Sequence, residues 1–153
     1  MTLVSTEWLS NNLSKVKIFD ASWHMPNSNR NSQKEYLDKH IPEAMFWDLD
    51  EHSDKDSPFP HMLPNSDYWT RMLWSFGIEN NDHIIVYDFS DVHSACRLWF
   101  SLKYFGHQKV SVLDGGMKKW LKQNRPTSNE TNKDIGRFSY TDKINTKNKY
   151  KVS

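Results

Sequence analysis

The chain has 153 residues, enough for one domain with a hydrophobic core and too few for two ordinary domains. Its 20 Lys and Arg residues nearly balance its 19 Asp and Glu residues, so no net field draws it to nucleic acid or to an anionic membrane. A single cysteine excludes an internal disulfide and a cysteine-based zinc site. No window approaches the roughly 18 apolar residues of a membrane span. We therefore expect a cytoplasmic, single-domain protein that binds small molecules or other proteins.

Short apolar runs alternate along the chain with helix-like stretches, which predicts an α/β fold with a parallel sheet covered by helices. The predicted strands are residues 16–20, 44–48, 84–88 and 110–113. The predicted helices are residues 5–13, with Ser5 as N-cap, 67–76, between Ser66 as N-cap and Gly77 as stop signal, 94–105, and 117–124. The polar stretch 26–33 is predicted to be a surface loop.

An acidic residue stands at or just after the end of each predicted strand, namely Asp20, Asp48, Asp88 and Asp114. Ligands of open parallel sheets bind at this carboxyl edge. The segment "VYDFSDVHSACRLW", residues 86–99, holds such a strand end, a polar loop and a helix start, where loop amides and the helix N-terminus converge on an anion. It is therefore the first candidate for a reactive site.

Residues 127–153 differ in composition from the rest of the chain, since they are polar, rich in Lys and Asn, and lack periodicity. We predict a domain over residues 1–126 followed by a linker-like tail over residues 127–153.

Several phrases, in order, resemble one family. They are "LVSTEWLSNNL" and "VKIFDASW" within residues 3–23, "EYLDKHIPEAMFWDLD" at 35–50, "SPFPHMLP" at 57–64 and "VSVLDGGMKKWLKQNRP" at 110–126. Together they resemble the N-terminal, non-catalytic domain of the two-domain rhodanese, or thiosulfate and 3-mercaptopyruvate, sulfurtransferases. The resemblance implies a rhodanese-like three-layer sandwich whose central, mostly parallel sheet has five strands, with helices on both faces.

The resemblance also implies a division of labour between two domains. The catalytic cysteine of these enzymes lies in the C-terminal domain, and the N-terminal domain packs against it and closes the pocket. We thus expect these residues to be the N-terminal half of a sulfurtransferase, inactive alone. Its expected partners are a small sulfur donor and either a separate catalytic rhodanese domain or a second copy of the chain, and no cofactor is expected.

Asp88 occupies the loop position that corresponds to the sulfur-carrying cysteine. A carboxylate can accept hydrogen bonds from the same amides, but it cannot form a persulfide, so we interpret Asp88 as a loop-stabilising acceptor. Asp91 would add a second negative charge that repels thiosulfate. Cys96 lies in the first turn of the predicted helix, where the dipole can activate a thiol, but we interpret it as a small buried side chain.

Asp50 and His61 are the better functional candidates. They match the Asp after "FWDL" and the His of "PHMLP", which in 3-mercaptopyruvate sulfurtransferases reach the edge of the active-site cleft. A histidine can move a proton near neutral pH and an aspartate can orient it. The alternative is that His61 packs a loop and Asp50 is a solvated acid.

The remaining candidates indicate structural roles. No two of the other histidines share metal-ligand spacing on one element, so a metal site is not expected. The "DGG" turn at residues 114–116 lacks the Lys-Ser/Thr of a nucleotide loop. Leu102 stands six residues after Cys96, where phosphatase relatives need an arginine. Arg97 is expected to form an ion pair, and Trp99 to serve the core or a domain interface.

Three functions remain open at this stage. The first is the sulfurtransferase half just described, and the second is a stand-alone, catalytically dead rhodanese-like binding module. The third is weak sulfur transfer by Cys96 alone. The "DLD" and "PHMLP" phrases, together with the polar connector, favour the first. The "DASW" and "PHMLP" phrases favour mercaptopyruvate over thiosulfate as the donor.

Overall fold

The computed structural model describes residues 2–131 and 150–152. Its strands are β1 Leu3–Val4, β2 Lys17–Asp20, β3 Met45–Phe46, β4 Ile84–Tyr87 and β5 Val110–Leu113. Its α-helices are α1 Thr6–Ser10, α2 Ser32–Asp38, α3 Ser66–Ser75, α4 Ala95–Tyr104 and α5 Gly116–Lys122, and a 3₁₀ turn covers Leu13–Lys15.

The five strands form one sheet in the order β1-β5-β4-β2-β3, and every pairing between them is parallel. Parallel neighbours need a crossover between them, and the helices supply these crossovers. The predicted α/β class and the five-stranded sheet are confirmed.

The sheet separates two apolar clusters because alternate residues of a strand point to opposite faces. On one face Phe19 and Val86 pack with Trp69 of α3 and Leu98 of α4. On the other face the side chains come from β2, β4, α1, α2 and α5, and include Ile18, Ile85, Leu9, Tyr36 and Trp120. Helices therefore cover both faces, as the three-layer prediction requires.

Local signals explain most helix ends. The hydroxyl of Ser5 accepts from the amide of Trp8 and caps α1, as predicted. Gly77, at φ +74°, follows the last turn of α3, also as predicted. The predicted N-cap of α3 is wrong, because Asn65 rather than Ser66 accepts from the amide of Tyr68.

Strand β1, helix α2 and the 3₁₀ turn were not predicted. The edge strand β1 has only two residues, too few to show a period. Helix α2 begins at Ser32, inside the stretch predicted to be a surface loop, and Asn31 caps it through the amide of Lys34. The other boundaries differ from the predictions by a few residues, the largest change being α1, which ends at Ser10 instead of residue 13.

The described parts of the predicted tail lie on the domain. Ser128 and His40 exchange backbone hydrogen bonds of 2.8 and 2.9 Å. Tyr150 is 1% exposed, and its ring stacks on that of His107 with 5.7 Å between centroids. The side chain of Asn80 bonds both backbone groups of Lys151. Residues 132–149 of the predicted tail lie outside the described residues.

Candidate functional site

The loops at the carboxyl edge of β2 and β4 are tied together by serines. Ser94 Oγ donates to the carbonyl of Ala21 at 2.7 Å and accepts from the amide of Trp23 at 2.9 Å. Ser22 Oγ accepts from the amide of Phe89 at 2.8 Å. The start of α4 is thus fixed against the segment that follows β2.

Asp20 lies beneath these loops and is buried. Its Oδ1 accepts from the amide of Ser22 at 2.9 Å and from the hydroxyl of the same residue. Burial raises the pKa of Asp20 to about 6, against the opposing effect of the Ser22 hydrogen bonds and with a further contribution from the charge of Asp88. Asp20 anchors the loop from below and is 4% exposed, so it does not face a ligand.

Asp88 caps helix α4. Its Oδ2 accepts from the amide of Ala95 at 2.7 Å and its Oδ1 from the amide of Ser90 at 3.3 Å. The N-cap residue Ser94 makes no side-chain cap bond of its own. The carboxylate therefore binds amides at the anion-binding end of the helix, in the manner of the acceptor inferred from the sequence.

The "DGG" turn packs directly on Asp88. The amide of Met117 donates to the Asp88 carbonyl at 3.0 Å. A Cβ added to Gly116, which has φ +58°, would lie 2.8 Å from that carbonyl oxygen. The glycine is required here by the close approach of two backbones, a structural role.

Asp91 does not present an isolated negative charge. Its Oδ1 lies 3.1 Å from Lys118 Nζ, and its Oδ2 lies 3.9 Å from Arg30 Nη1. The hydrogen bond and charge of Lys118 lower the pKa of Asp91. The predicted repulsion of thiosulfate by Asp91 is therefore weakened, because the carboxylate is exposed and paired with cations.

Cys96 is half-buried in the first turn of α4. Burial raises the pKa of its thiol, and the negative charge of Asp88 raises it further. Both effects oppose activation by the helix dipole, so the thiol stays protonated and weakly nucleophilic at neutral pH.

A cavity of about 440 Å³ opens between the Asp88 loop and the "DGG" turn. Its lining includes Asp88, Asp91, Cys96, Asp114 and Lys118. It occupies the carboxyl edge of β4 and β5, where the sequence placed its first candidate site.

Asp50 and His61 form the second candidate site, and the structure brings them together. His61 Nε2 lies 2.7 Å from Asp50 Oδ1, so Nε2 carries the proton and donates it to the carboxylate. Within the described residues His61 Nδ1 has no hydrogen-bond partner. The side chains are 28% exposed for His61 and 66% for Asp50, so this pair is open to an approaching molecule.

Trp23 connects the two candidate sites. Its indole Nε1 donates to Asp50 Oδ2 at 3.2 Å, and its ring meets the His61 ring edge to face at 4.9 Å between centroids. Its backbone amide bonds Ser94 at the start of α4. The imidazole is therefore held on two sides, by Asp50 and by Trp23.

The predicted ion pair of Arg97 is wrong. The guanidinium Nη2 donates to the backbone carbonyl of His61, and no carboxylate pairs with Arg97 in the described part of the chain. Trp99 is half-buried and packs against the core cluster, and its indole nitrogen is buried without a hydrogen-bond partner among the described residues. Sequence reasoning missed Trp23 and Arg97 as neighbours of His61, although Trp23 lies in one of the phrases that carry the resemblance.

Two features are absent from residues 2–131 and 150–152. No helix there is both long and apolar enough to cross a bilayer. No group of three or more His, Cys, Asp or Glu side chains there has a geometry suited to a metal ion.

The all-parallel sheet, its two helical layers and the capped loop at its carboxyl edge define the class of the protein. The rhodanese-like domain model matches residues 5–123, and the chain belongs to this family. Its relatives include sulfurtransferases with full-length sequences much longer than this chain. The resemblance stated from the sequence is confirmed.

Two curated relatives show the level of similarity. Thiosulfate/3-mercaptopyruvate sulfurtransferase 1, mitochondrial, of Arabidopsis thaliana is 46% identical over 120 residues, which cover 77% of this chain and 32% of the relative. 3-Mercaptopyruvate sulfurtransferase of Mus musculus is 41% identical over 134 residues, which cover 82% and 45%. The chain thus spans less than half the length of either relative and corresponds to a part of each.

A solved structure also matches this chain over part of its own length. The crystal structure of a 3-mercaptopyruvate sulfotransferase from Escherichia coli superposes with a TM-score of 0.79 at 36% identity. The superposition covers 85% of this chain and 51% of that enzyme.

Proposed function

We propose that this chain forms the non-catalytic half of a sulfurtransferase and that a second rhodanese domain, outside these residues, supplies the sulfur-carrying cysteine. The observation that carries the proposal is the bond between the Asp88 carboxylate and the first amide of α4, at 2.7 Å. A carboxylate fills the place where a rhodanese needs a thiolate, and the raised pKa of Cys96 gives no substitute.

The pair of Asp50 and His61 is what this half contributes to the chemistry. Asp50 holds the Nε2 proton, and neutral His61 then carries its free lone pair on Nδ1. This nitrogen can accept a proton from a group of the substrate or the acceptor and return it. The pair does so only when the catalytic domain brings the substrate to it.

The chemistry of the two donors favours 3-mercaptopyruvate. When a thiolate attacks the sulfane sulfur of thiosulfate, the S–S bond breaks and sulfite leaves with the electron pair, so no proton need move. When the thiolate takes sulfur from 3-mercaptopyruvate, the C–S bond breaks and the thiol proton must end on carbon to give pyruvate. Both routes leave a persulfide that a thiophilic acceptor then discharges. Only the second needs a proton relay, which the pair of Asp50 and His61 supplies.

The test is complementation. The purified chain is assayed for pyruvate and sulfide release from 3-mercaptopyruvate, and for thiocyanate formation from thiosulfate and cyanide. Each assay is run alone and with the cysteine-bearing domain of a 3-mercaptopyruvate sulfurtransferase. We expect no activity from the chain alone and a gain on mixing. Activity of the chain alone that Cys96→Ser abolishes would contradict the proposal.

His61→Asn and His93→Asn form a matched pair of variants. Both histidines adopt a left-handed backbone, at φ +59° and +51°, which asparagine tolerates, and His93 makes no contact with Asp50. We expect His61→Asn to lower complemented activity with 3-mercaptopyruvate by about 10²-fold and to change thiosulfate activity less. His93→Asn should change neither, and equal losses in the two variants would contradict the role of His61.

The cavity beside Asp88 favours a second candidate, a catalytically dead module that binds a small ligand or a protein. Its volume of about 440 Å³ suits a small molecule. A soluble monomer that gains no activity with any catalytic rhodanese domain would support this second function. Association of the mixed domains, or of the chain with itself, is followed by sedimentation in the same samples.

Residence in the cytoplasm stays a prediction. One relative is named a mitochondrial protein. Fluorescence microscopy of the tagged full-length protein in its own cell tests the predicted location, and a mitochondrial signal would contradict residence in the cytoplasm.

A further inference from the structure

His61 stands in an unusual backbone conformation. Its φ is +59°, in the left-handed region that residues with a Cβ rarely adopt. Such a conformation persists where surrounding contacts over-determine it, and it then fixes the direction of the side chain. The contact with Asp50 holds the imidazole, but it does not hold the backbone.

Arg97 makes the contact that reaches this backbone. Its Nη2 donates to the His61 carbonyl across 36 positions of sequence, from the first turn of α4 to the loop after β3. Among the described residues, the only other backbone hydrogen bond of the segment 60–64 joins the amide of Asp54 to the carbonyl of Met62, at 2.8 Å. Arg97 is therefore the link between the His61 segment and a helix.

The helix end that carries Arg97 is itself rigid. Asp88 caps it through Ala95, and Ser94 bonds both Ala21 and Trp23. The guanidinium also lies over the ring of Phe100, 5.9 Å from its centroid. Its Nε is buried without a partner among the described residues, so its one directed bond is the one to His61.

We propose that Arg97 is a positioning residue for His61. By fixing the His61 carbonyl it holds the left-handed turn, and the turn aims Nε2 at Asp50 and leaves Nδ1 without a hydrogen-bond partner among the described residues. The functional part of this inference rests on the proposed sulfurtransferase function. The geometric part concerns this chain alone and is tested without a catalytic domain.

The geometric test uses the isolated 153-residue chain and nuclear magnetic resonance. Nitrogen-15 shifts of the imidazole report which ring nitrogen holds the proton, and the intraresidue amide–Hα contact reports a positive φ. We expect the wild type to show the Nε2–H tautomer and the left-handed turn. Arg97→Met should mix the tautomers and lose the turn, whereas Arg97→Lys, which keeps a donor, should restore both in part.

Arg125→Met is the matched control, because Arg125 bonds Gln123 and lies over Trp120, with no contact to His61 in the described structure. It should leave the His61 signals unchanged. A wild-type His61 tautomer and turn in folded Arg97→Met would overturn the inference. If Arg97→Met does not fold, Arg97→Lys replaces it in the test. Unaltered His61 signals in Arg97→Lys, together with complementation below the wild-type level, would also overturn the inference.

The functional test is a double-mutant cycle in the complemented enzyme. Arg97→Met should lower kcat with 3-mercaptopyruvate by about 10- to 100-fold with a smaller change in KM, because a misplaced group acts on the reacting atoms. In a His61→Asn background the same change should cost less than about 2-fold, since the group it positions is gone. Additive losses would overturn the inference. Failure of the wild type to complement would overturn the proposed function instead, and the magnetic resonance results would still decide the role of Arg97.

Discussion

Replacement of the Asp20 carboxyl by an amide probes the electrostatics beneath the candidate site. Asp20 is 4% exposed, and burial raises its pKa from the ordinary 3.8 to about 6. Asparagine keeps an oxygen that can accept from Ser22, as the carboxylate does at 2.9 Å, but it cannot ionise. Asp20→Asn thus removes the titration and leaves the anchor in place.

The sign and size of the effect follow from linkage. Below pH 3.8 Asp20 is protonated in both the folded and the unfolded chain, and its buried neutral form carries no penalty. Between pH 3.8 and about 6 the unfolded chain ionises this carboxyl while the folded protein keeps the proton, so stability falls over this range and levels off above it. A pKa that is about two higher in the folded than in the unfolded chain corresponds to about 3 kcal/mol of unfolding free energy.

The assay is urea unfolding followed by tryptophan fluorescence at a series of pH values. The unfolding free energy of Asp20→Asn minus that of the wild type should rise by about 2 kcal/mol from about pH 4 to about pH 7.5. Asp38→Asn, at an exposed position in α2, should give a flat difference over the same range. If the difference in unfolding free energy between Asp20→Asn and the wild type changes by less than about 0.5 kcal/mol over this pH range, the reasoning is refuted.

Three further predictions concern stability. Burial, and to a lesser extent the charge of Lys55, lower the pKa of His52 to about 4, so its contribution is present above pH 6.5 and lost as the pH falls through 4. In urea titrations the unfolding free energy of the wild type minus that of His52→Asn should fall by about 3 kcal/mol between about pH 7 and about pH 4. Gly116→Ala should cost about 2 kcal/mol more than Gly77→Ala in thermal unfolding, because both have positive φ but only Gly116 has a carbonyl 2.8 Å from the added Cβ. Equal costs would contradict this packing. Tyr150→Ala should lower the unfolding free energy by about 3 kcal/mol and Tyr150→Phe by about 1 kcal/mol, and wild-type stability in both would show that Tyr150 does not anchor the tail.

Much of the fold could be predicted because it follows from periodicity and from local capping. The residues of β4 alternate between the two apolar clusters, which is what a strand buried on both faces requires. Ser5 marks the start of α1 because its hydroxyl caps the helix, and Gly77 marks the end of α3 because it adopts a positive φ. The two-residue β1 is defined by its pairing with β5, a long-range contact that no local pattern contains.

The candidate site was predictable in its residue types and not in its geometry. The resemblance singled out Asp50 and His61, and they lie at hydrogen-bond distance. The left-handed turn at His61 and the reach of Arg97 to its carbonyl depend on how a loop after β3 meets α4. Backbone conformation of this kind is set by tertiary contacts, so the sequence predicted an ion pair for Arg97 where the structure has a bond to a backbone carbonyl.

The capping role of Asp88 has a consequence for any thiol placed at this position. A carboxylate seven residues ahead of Ala95 satisfies the first amide of α4, a task that Ser94 leaves undone. A cysteine sulfur is a poor acceptor, so Asp88→Cys would cost about 1 kcal/mol of helix capping. At position 88, helix capping and thiol reactivity therefore compete for one side chain.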